Sequence, residues 1–137
     1  MAEILIVDDD EIIRETLFEL LSASYNCATA ETAEQALHKL ANVPFDVVLT
    51  DISMPGLSGS ELLRRVRQLY PQTPVIMISG MTDQDHAESL LKLGAFDYLL
   101  KPFRLEVVEN SVERAIQRRL WSLESEDAQP TNQAGLP

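Results

Sequence analysis

The chain has a single cysteine, Cys27, in 137 residues. That excludes a disulfide framework and a thiolate metal site, and a reducing compartment is expected. Cys27 itself reads as a small buried residue of a strand. Basic residues are also scarce: 11 Lys and Arg stand against 22 Asp and Glu, for a formal net charge of −11. This argues against direct nucleic-acid binding, which relies on clustered cations meeting phosphates. The two basic clusters, Arg64-Arg65-Arg67 and Arg114-Arg118-Arg119, fall at helical spacing and read as solvated faces. Long apolar runs are missing as well. No stretch approaches the ~20 residues of a membrane helix, and Met1-Ala2-Glu3 lacks the basic start of a signal peptide. A soluble, cytoplasmic chain without a membrane partner is expected.

What is present is a regular alternation of strand-like and helix-like segments. A 45% hydrophobic content supports a packed core, and the length suits one domain. Ile4–Val7, Asn26–Thr29, Asp46–Thr50, Val75–Ile78 and Phe96–Leu100 read as strands, and the more polar Asn26–Thr29 is placed at a sheet edge. The first helix is expected over Glu11 to Ala23, with Ile12, Ile13, Leu17, Leu20 and Leu21 on its buried side. Thr32 with Gln35, and Ser58 with Glu61, read as capping boxes opening the second and third helices. Gly94 stops the fourth, and the fifth starts near Leu105. Alternating βα units with short connections imply a parallel, doubly wound α/β sheet with right-handed crossovers. The domain is expected over 1–124, with 125–137 a disordered tail or linker stub, because the composition turns polar from Ser125.

Four of the apolar runs deliver a chemically useful residue at their C-terminal end: Asp8-Asp9-Asp10, Asp51, Ser79, and Lys101 with Pro102. In an open parallel sheet these ends share one edge, and ligands bind in the crevice outside it. Carboxylates gathered there repel one another by roughly 4 kcal/mol per pair at ~4 Å and an effective dielectric near 20. A cation relieves that repulsion, and oxygen ligands without His or Cys select Mg2+, with Mn2+ able to substitute. Asp10 is the expected cap of the first helix. Asp51 is the best nucleophile candidate, since a carboxylate can take a phosphoryl group as an acyl phosphate. Lys101 and Ser79 would supply further contacts to its oxygens. His38 and His86 read as solvent-exposed, and Met54, Met77 and Met81 as core or loop fillers.

Asp8-Asp9, Asp51 followed by Met54-Pro55-Gly56, Ser79-Gly80 and Lys101-Pro102-Phe103 together resemble the receiver domain of bacterial two-component response regulators. The resemblance covers about Ala2 to Arg119. It implies a (βα)5 sandwich with strand order 2-1-3-4-5 and a phosphorylation-activated switch or phosphorelay member. It implies that Asp51 is the phosphoacceptor, and that Asp8, Asp9, Asp51 and the Ser53 backbone carbonyl hold Mg2+. Lys101 would bind the phosphoryl group, with a cis bond to Pro102. Ser79 would be the switch hydroxyl and Tyr98 the aromatic that follows it inward. Ser53 and Met81 stand where the family tunes hydrolysis, and slow self-dephosphorylation is expected. The implied phosphodonor is a sensor histidine kinase or phosphotransfer protein, and the chain would catalyse only its own phosphorylation and dephosphorylation.

In this family the output surface is usually the fourth helix, fifth strand and fifth helix. Here Leu105, Val108, Val112, Ile116, Leu120 and Leu123 form a stripe at spacings of three and four, with Trp121 near its end. That stripe outruns one sheet face, so a homodimer partner or an effector domain is expected on the fifth helix. The alternative from another class is a haloacid-dehalogenase-like phosphatase, with Asp8 as nucleophile, Asp10 as acid/base and Asp51 incidental. It lacks an acidic pair after Lys101 and a cap insertion. A pseudo-receiver scaffold would not need the whole acidic set.

Overall fold

The computed structural model describes residues 1–80 and 87–134, with side chains through residue 124. Among the described residues, five parallel strands form one sheet in the order β2-β1-β3-β4-β5. The strands are β1 (Glu3–Val7), β2 (Asn26–Ala30), β3 (Val47–Asp51), β4 (Val75–Ser79) and β5 (Asp97–Leu100). Between and after them run α1 (Glu11–Ser22), α2 (Ala33–Asn42), α3 (Gly59–Leu69), α4 (Ala87–Lys92) and α5 (Leu105–Ala134). Every residue of the inner strands β3 and β4 is buried. A strand covered on both faces is apolar along most of its length, which is why these segments read as continuous runs up to Thr50 and Asp51 and up to Ser79. β2 forms one edge, as its polarity suggests, and β5 the other.

Successive side chains of each strand enter opposite layers. Leu5, Val7, Val48, Val75 and Met77 pack with Ala36, Leu40, Leu62, Leu63 and Val66 of α2 and α3, and with Leu90 of α4. Ile4, Ile6, Val47, Leu49, Ile76 and Ile78 pack with Leu17 and Leu21 of α1 and with Val108, Val112 and Ala115 of α5. Truncating one of these fully buried leucines to alanine would cost about 2–5 kcal/mol.

Three expectations change. Ile12 is 76% exposed rather than buried. Ile13, Leu17, Leu20 and Leu21 fill the inward face of α1 at spacings of three and four, and Ile12 falls on the exposed face of Thr16 and Glu19. The basic clusters are not simply solvated. The Arg119 side chain is 16% exposed; its Nε donates to Asp46 at 2.8 Å and its Nη1 to the Thr73 hydroxyl at 3.2 Å. Arg114 pairs with Asp97 at 2.9 Å and lies over the Phe96 ring. Both clamp α5 to the sheet.

The capping boxes are only half made. Thr32 and Ser58 accept from the Gln35 and Glu61 amides, but the Gln35 side chain reaches the Glu31 amide, and Glu61 turns to Arg64 and Arg65. Helical backbone runs on through 125–134. No helix among the described residues is long and apolar enough to cross a membrane.

Candidate active site at the C-terminal edge of the sheet

Strand register builds the site. Val7 lies beside Thr50, Asp51 beside Ile78, and Ser79 beside Leu100. One residue further along β1 and β5 come Asp8 and Lys101, so four neighbouring strands empty their polar ends at one rim. Carboxylate oxygens of Asp8, Asp9 and Asp51 lie within 4.8 Å of one another. The Lys101 ammonium sits 3.2 Å from Oδ2 of Asp8 and 3.4 Å from Oδ1 of Asp51. Asp8 and Asp51 are buried, whereas Asp9 is exposed.

Asp10 is set apart from this group. Its Oδ1 accepts from the Ile12 and Ile13 amides at 2.9 and 3.3 Å, capping α1, while its own amide donates to Oδ1 of Asp8 at 2.9 Å. One of three consecutive aspartates therefore starts the helix and the other two face the rim.

Charge in the cluster is poorly balanced by the protein. Burial, and then the neighbouring Asp8, push the Asp51 carboxyl up to about 6 against the pull of Lys101. Burial likewise raises Asp8. For Lys101, burial pulls downward, but the two carboxylates outweigh it and its pKa ends raised. Among the described residues, three carboxylates against one ammonium leave two negative charges, which is the charge a divalent cation cancels. The donor set among the described residues is all oxygen, with neither His nor Cys, and so fits Mg2+.

The second group of expected residues lies behind the rim. Ser79 is fully buried; its hydroxyl donates to the Gly80 carbonyl at 3.0 Å, and its own carbonyl accepts from the Lys101 amide. Tyr98 is half-buried against the α2–α3–α4 side of the core. The Lys101–Pro102 peptide bond is cis. Ser53 is exposed two residues after Asp51. Met81 and His86 lie outside the described residues. His38 is exposed on α2, away from the cluster.

Gly59 carries a role that the sequence reading passed over. It opens α3, and a Cβ there would lie 1.9 Å from the Asp51 carbonyl oxygen. Only glycine lets the start of α3 press against the backbone that presents the Asp51 carboxylate. The available signal was a glycine directly after a capping serine.

Residues 4–113 match the family described as the response regulator receiver domain. The chain belongs to this family. This receiver domain is 42% identical over 128 residues to the DNA-binding transcriptional regulator NtrC of Escherichia coli K12, a match covering 93% of this chain and 26% of NtrC. It is 40% identical over 129 residues to the response regulator protein PilR of Pseudomonas aeruginosa, covering 93% of this chain and 28% of PilR. It also superposes on a receiver domain protein of Clostridium thermocellum with a TM-score of 0.84 and 33% identity, over 88% of this chain and 98% of that one. The chain spans about a quarter of the length of the curated relatives it matches. As a two-component receiver domain it is a phosphorylation-dependent signalling switch. The phosphatase alternative finds no support: Asp51 sits inside the acidic cluster, and the Asp10 carboxylate is engaged as a helix cap.

Proposed function

We propose that this receiver domain takes a phosphoryl group onto Asp51 from a sensor histidine kinase or phosphotransfer protein. The observation that carries this reading is the Asp51 carboxylate at the sheet rim, 3.4 Å from the Lys101 ammonium and grouped with Asp8 and Asp9. A carboxylate oxygen of Asp51 attacks the phosphorus of a phosphoimidazole; the O–P bond forms and the P–N electron pair returns to the leaving imidazole. Asp51 must be ionised to do so, and a pKa of about 6 leaves it ionised at neutral pH. Lys101 follows the charge from the carboxylates to the phosphoryl oxygens. Mg2+, with Mn2+ able to replace it, would be held by Asp8, Asp9, Asp51 and the Ser53 carbonyl, and would neutralise charge on the transferring oxygens.

Phosphorylation puts about −1.5 to −2 charges where one stood. The Ser79 hydroxyl exchanges the Gly80 carbonyl for a phosphoryl oxygen, and Tyr98 turns inward behind it. Inverting a 1:99 population takes about 5.5 kcal/mol, of which one charge-assisted hydrogen bond supplies roughly 1.5–3, so Lys101 and loop repacking contribute the rest. Ser53 offers no basic or amide group to orient water, and Met81 is apolar at the other tuning position, which supports slow self-hydrolysis. The domain works on no other substrate, and its place is the cytoplasm.

Output leaves through α4, β5 and α5. Leu105, Leu120 and Trp121 of α5 are 45%, 55% and 63% exposed, which supports a homodimer partner or an effector domain on this helix. The decisive experiment is incubation with acetyl phosphate and Mg2+ followed by intact mass. One phosphoryl adduct is expected, absent in Asp51→Asn; an unmodified wild-type chain would overturn the reading.

A further inference from the structure

Arg14 closes the first turn of α1, and its side chain is only 12% exposed. Its Nη1 donates to the Asp8 carbonyl at 2.9 Å, and its Nη2 to the exposed Glu31 carboxylate at 3.3 Å. The Asp8 carbonyl and the Asp9 amide are two ends of one planar peptide unit. Holding that carbonyl fixes the rotation of the plane, and with it the direction in which the Asp9 side chain leaves the backbone.

Asp8 is fixed independently. Its amide donates to the Ala30 carbonyl, its Oδ1 accepts from the Asp10 amide, and its Oδ2 meets Lys101. Asp9 has no such support: among the described residues its carboxylate makes no hydrogen bond or ion pair. It nevertheless stands within ligand distance of Asp8 and Asp51. The backbone must hold it there.

The structure assigns Arg14 as a positioning residue that aims the Asp9 carboxylate at the cation site by pinning the Asp8–Asp9 peptide. This rests on reading Asp8, Asp9 and Asp51 as a Mg2+ site. A positioning role and a purely electrostatic one have opposite signs. A guanidinium near the site repels a dication, so removing its charge alone would tighten Mg2+ binding, whereas releasing the peptide loosens it.

The test is a calorimetric Mg2+ titration of the full chain as wild type, Arg14→Met and Arg14→Lys, with backbone amide NMR on each. Arg14→Met is expected to weaken Mg2+ affinity about tenfold, the low end for groups that orient metal ligands. Arg14→Lys, which keeps the charge but loses the two-pronged donor, should weaken it about threefold. The Asp9 amide should shift in both variants without added metal, with the Asp51 amide unmoved. If Arg14→Met melts, Arg14→Lys alone carries the test. Unchanged or tighter binding in the folded variants overturns the assignment. A wild-type chain that takes up no Mg2+ overturns the cation reading itself, and the assignment with it.

Discussion

Lys101 and Asp51 are joined at 3.4 Å across the C-terminal rim of the sheet, and the same ammonium reaches Asp8 at 3.2 Å. One cation shared by two buried carboxylates, with Asp9 beside them, is an arrangement short of positive charge. Most of what this domain is expected to do follows from that shortage.

Stability should fall as pH rises through the acid range, opposite to the usual behaviour of paired carboxylates. The Asp51 carboxyl titrates near 3.8 in a free chain and at about 6 in the fold. The folded state therefore holds the proton more tightly, and stability present below pH ~4 is lost as pH rises through about 6. For a side chain 10% exposed, the difference is worth about 3 kcal/mol at most. Asp8 shifts in the same direction. Thermal melts in chelator should show Tm declining from pH 4 to 7. Asp51→Asn should raise Tm at pH 7 by several degrees, on the order of 2–6 °C, and saturating Mg2+ should do the same for the wild type.

Replacing Lys101 with methionine removes the only ammonium among the described residues that faces Asp8 and Asp51. Without that contact the Asp51 carboxyl should titrate above 6, and its oxygens lose a partner as charge moves to the phosphoryl group. The rate of phosphorylation by acetyl phosphate should drop roughly 100-fold at pH 7. Its pH midpoint should move to higher pH, read from a rate profile between pH 5 and 9.

Gly59→Ala should be among the most damaging small substitutions in the chain. The added methyl would sit 1.9 Å from a backbone oxygen of Asp51, which cannot rotate away as a side chain would. A loss of about 2–4 kcal/mol is expected, together with weaker Mg2+ binding because the Asp51 strand end is displaced. Denaturant melts and Mg2+ titration check the two effects separately.

Ser79→Ala should separate chemistry from signalling. Ser79 is buried and its hydroxyl now serves the Gly80 carbonyl, so the phosphoryl adduct should still form. Amide shifts over α4, β5 and α5 on phosphorylation should shrink by at least half, as the new hydrogen bond is lost. Full-sized shifts in Ser79→Ala would show that the switch does not run through this hydroxyl.

The order of elements and the acidic rim were legible because parallel strands buried on both faces must be apolar to their ends. Ile4–Val7 into Asp8 and Val47–Thr50 into Asp51 announce themselves as abrupt changes of polarity. Strand limits moved by a residue, as at Phe96 and Asp97, where hydrogen bonding rather than polarity sets the boundary. The outward turn of Ile12 was open to inference: Ile13, Leu17, Leu20 and Leu21 already complete one face at spacings of three and four, and Ile12 falls outside it. Arg119 was hidden: its partners Asp46 and Thr73 lie 73 and 46 residues away, and helical spacing cannot reveal them.

The central claim is that Asp51, and neither Asp8 nor Asp9, carries the phosphoryl group. Borohydride reduction of the acetyl phosphate-treated chain converts an aspartyl phosphate to homoserine, and peptide mapping then locates it. The account predicts homoserine at position 51 alone. Homoserine at position 8 or 9, or at no position while the intact mass shows an adduct, would contradict it.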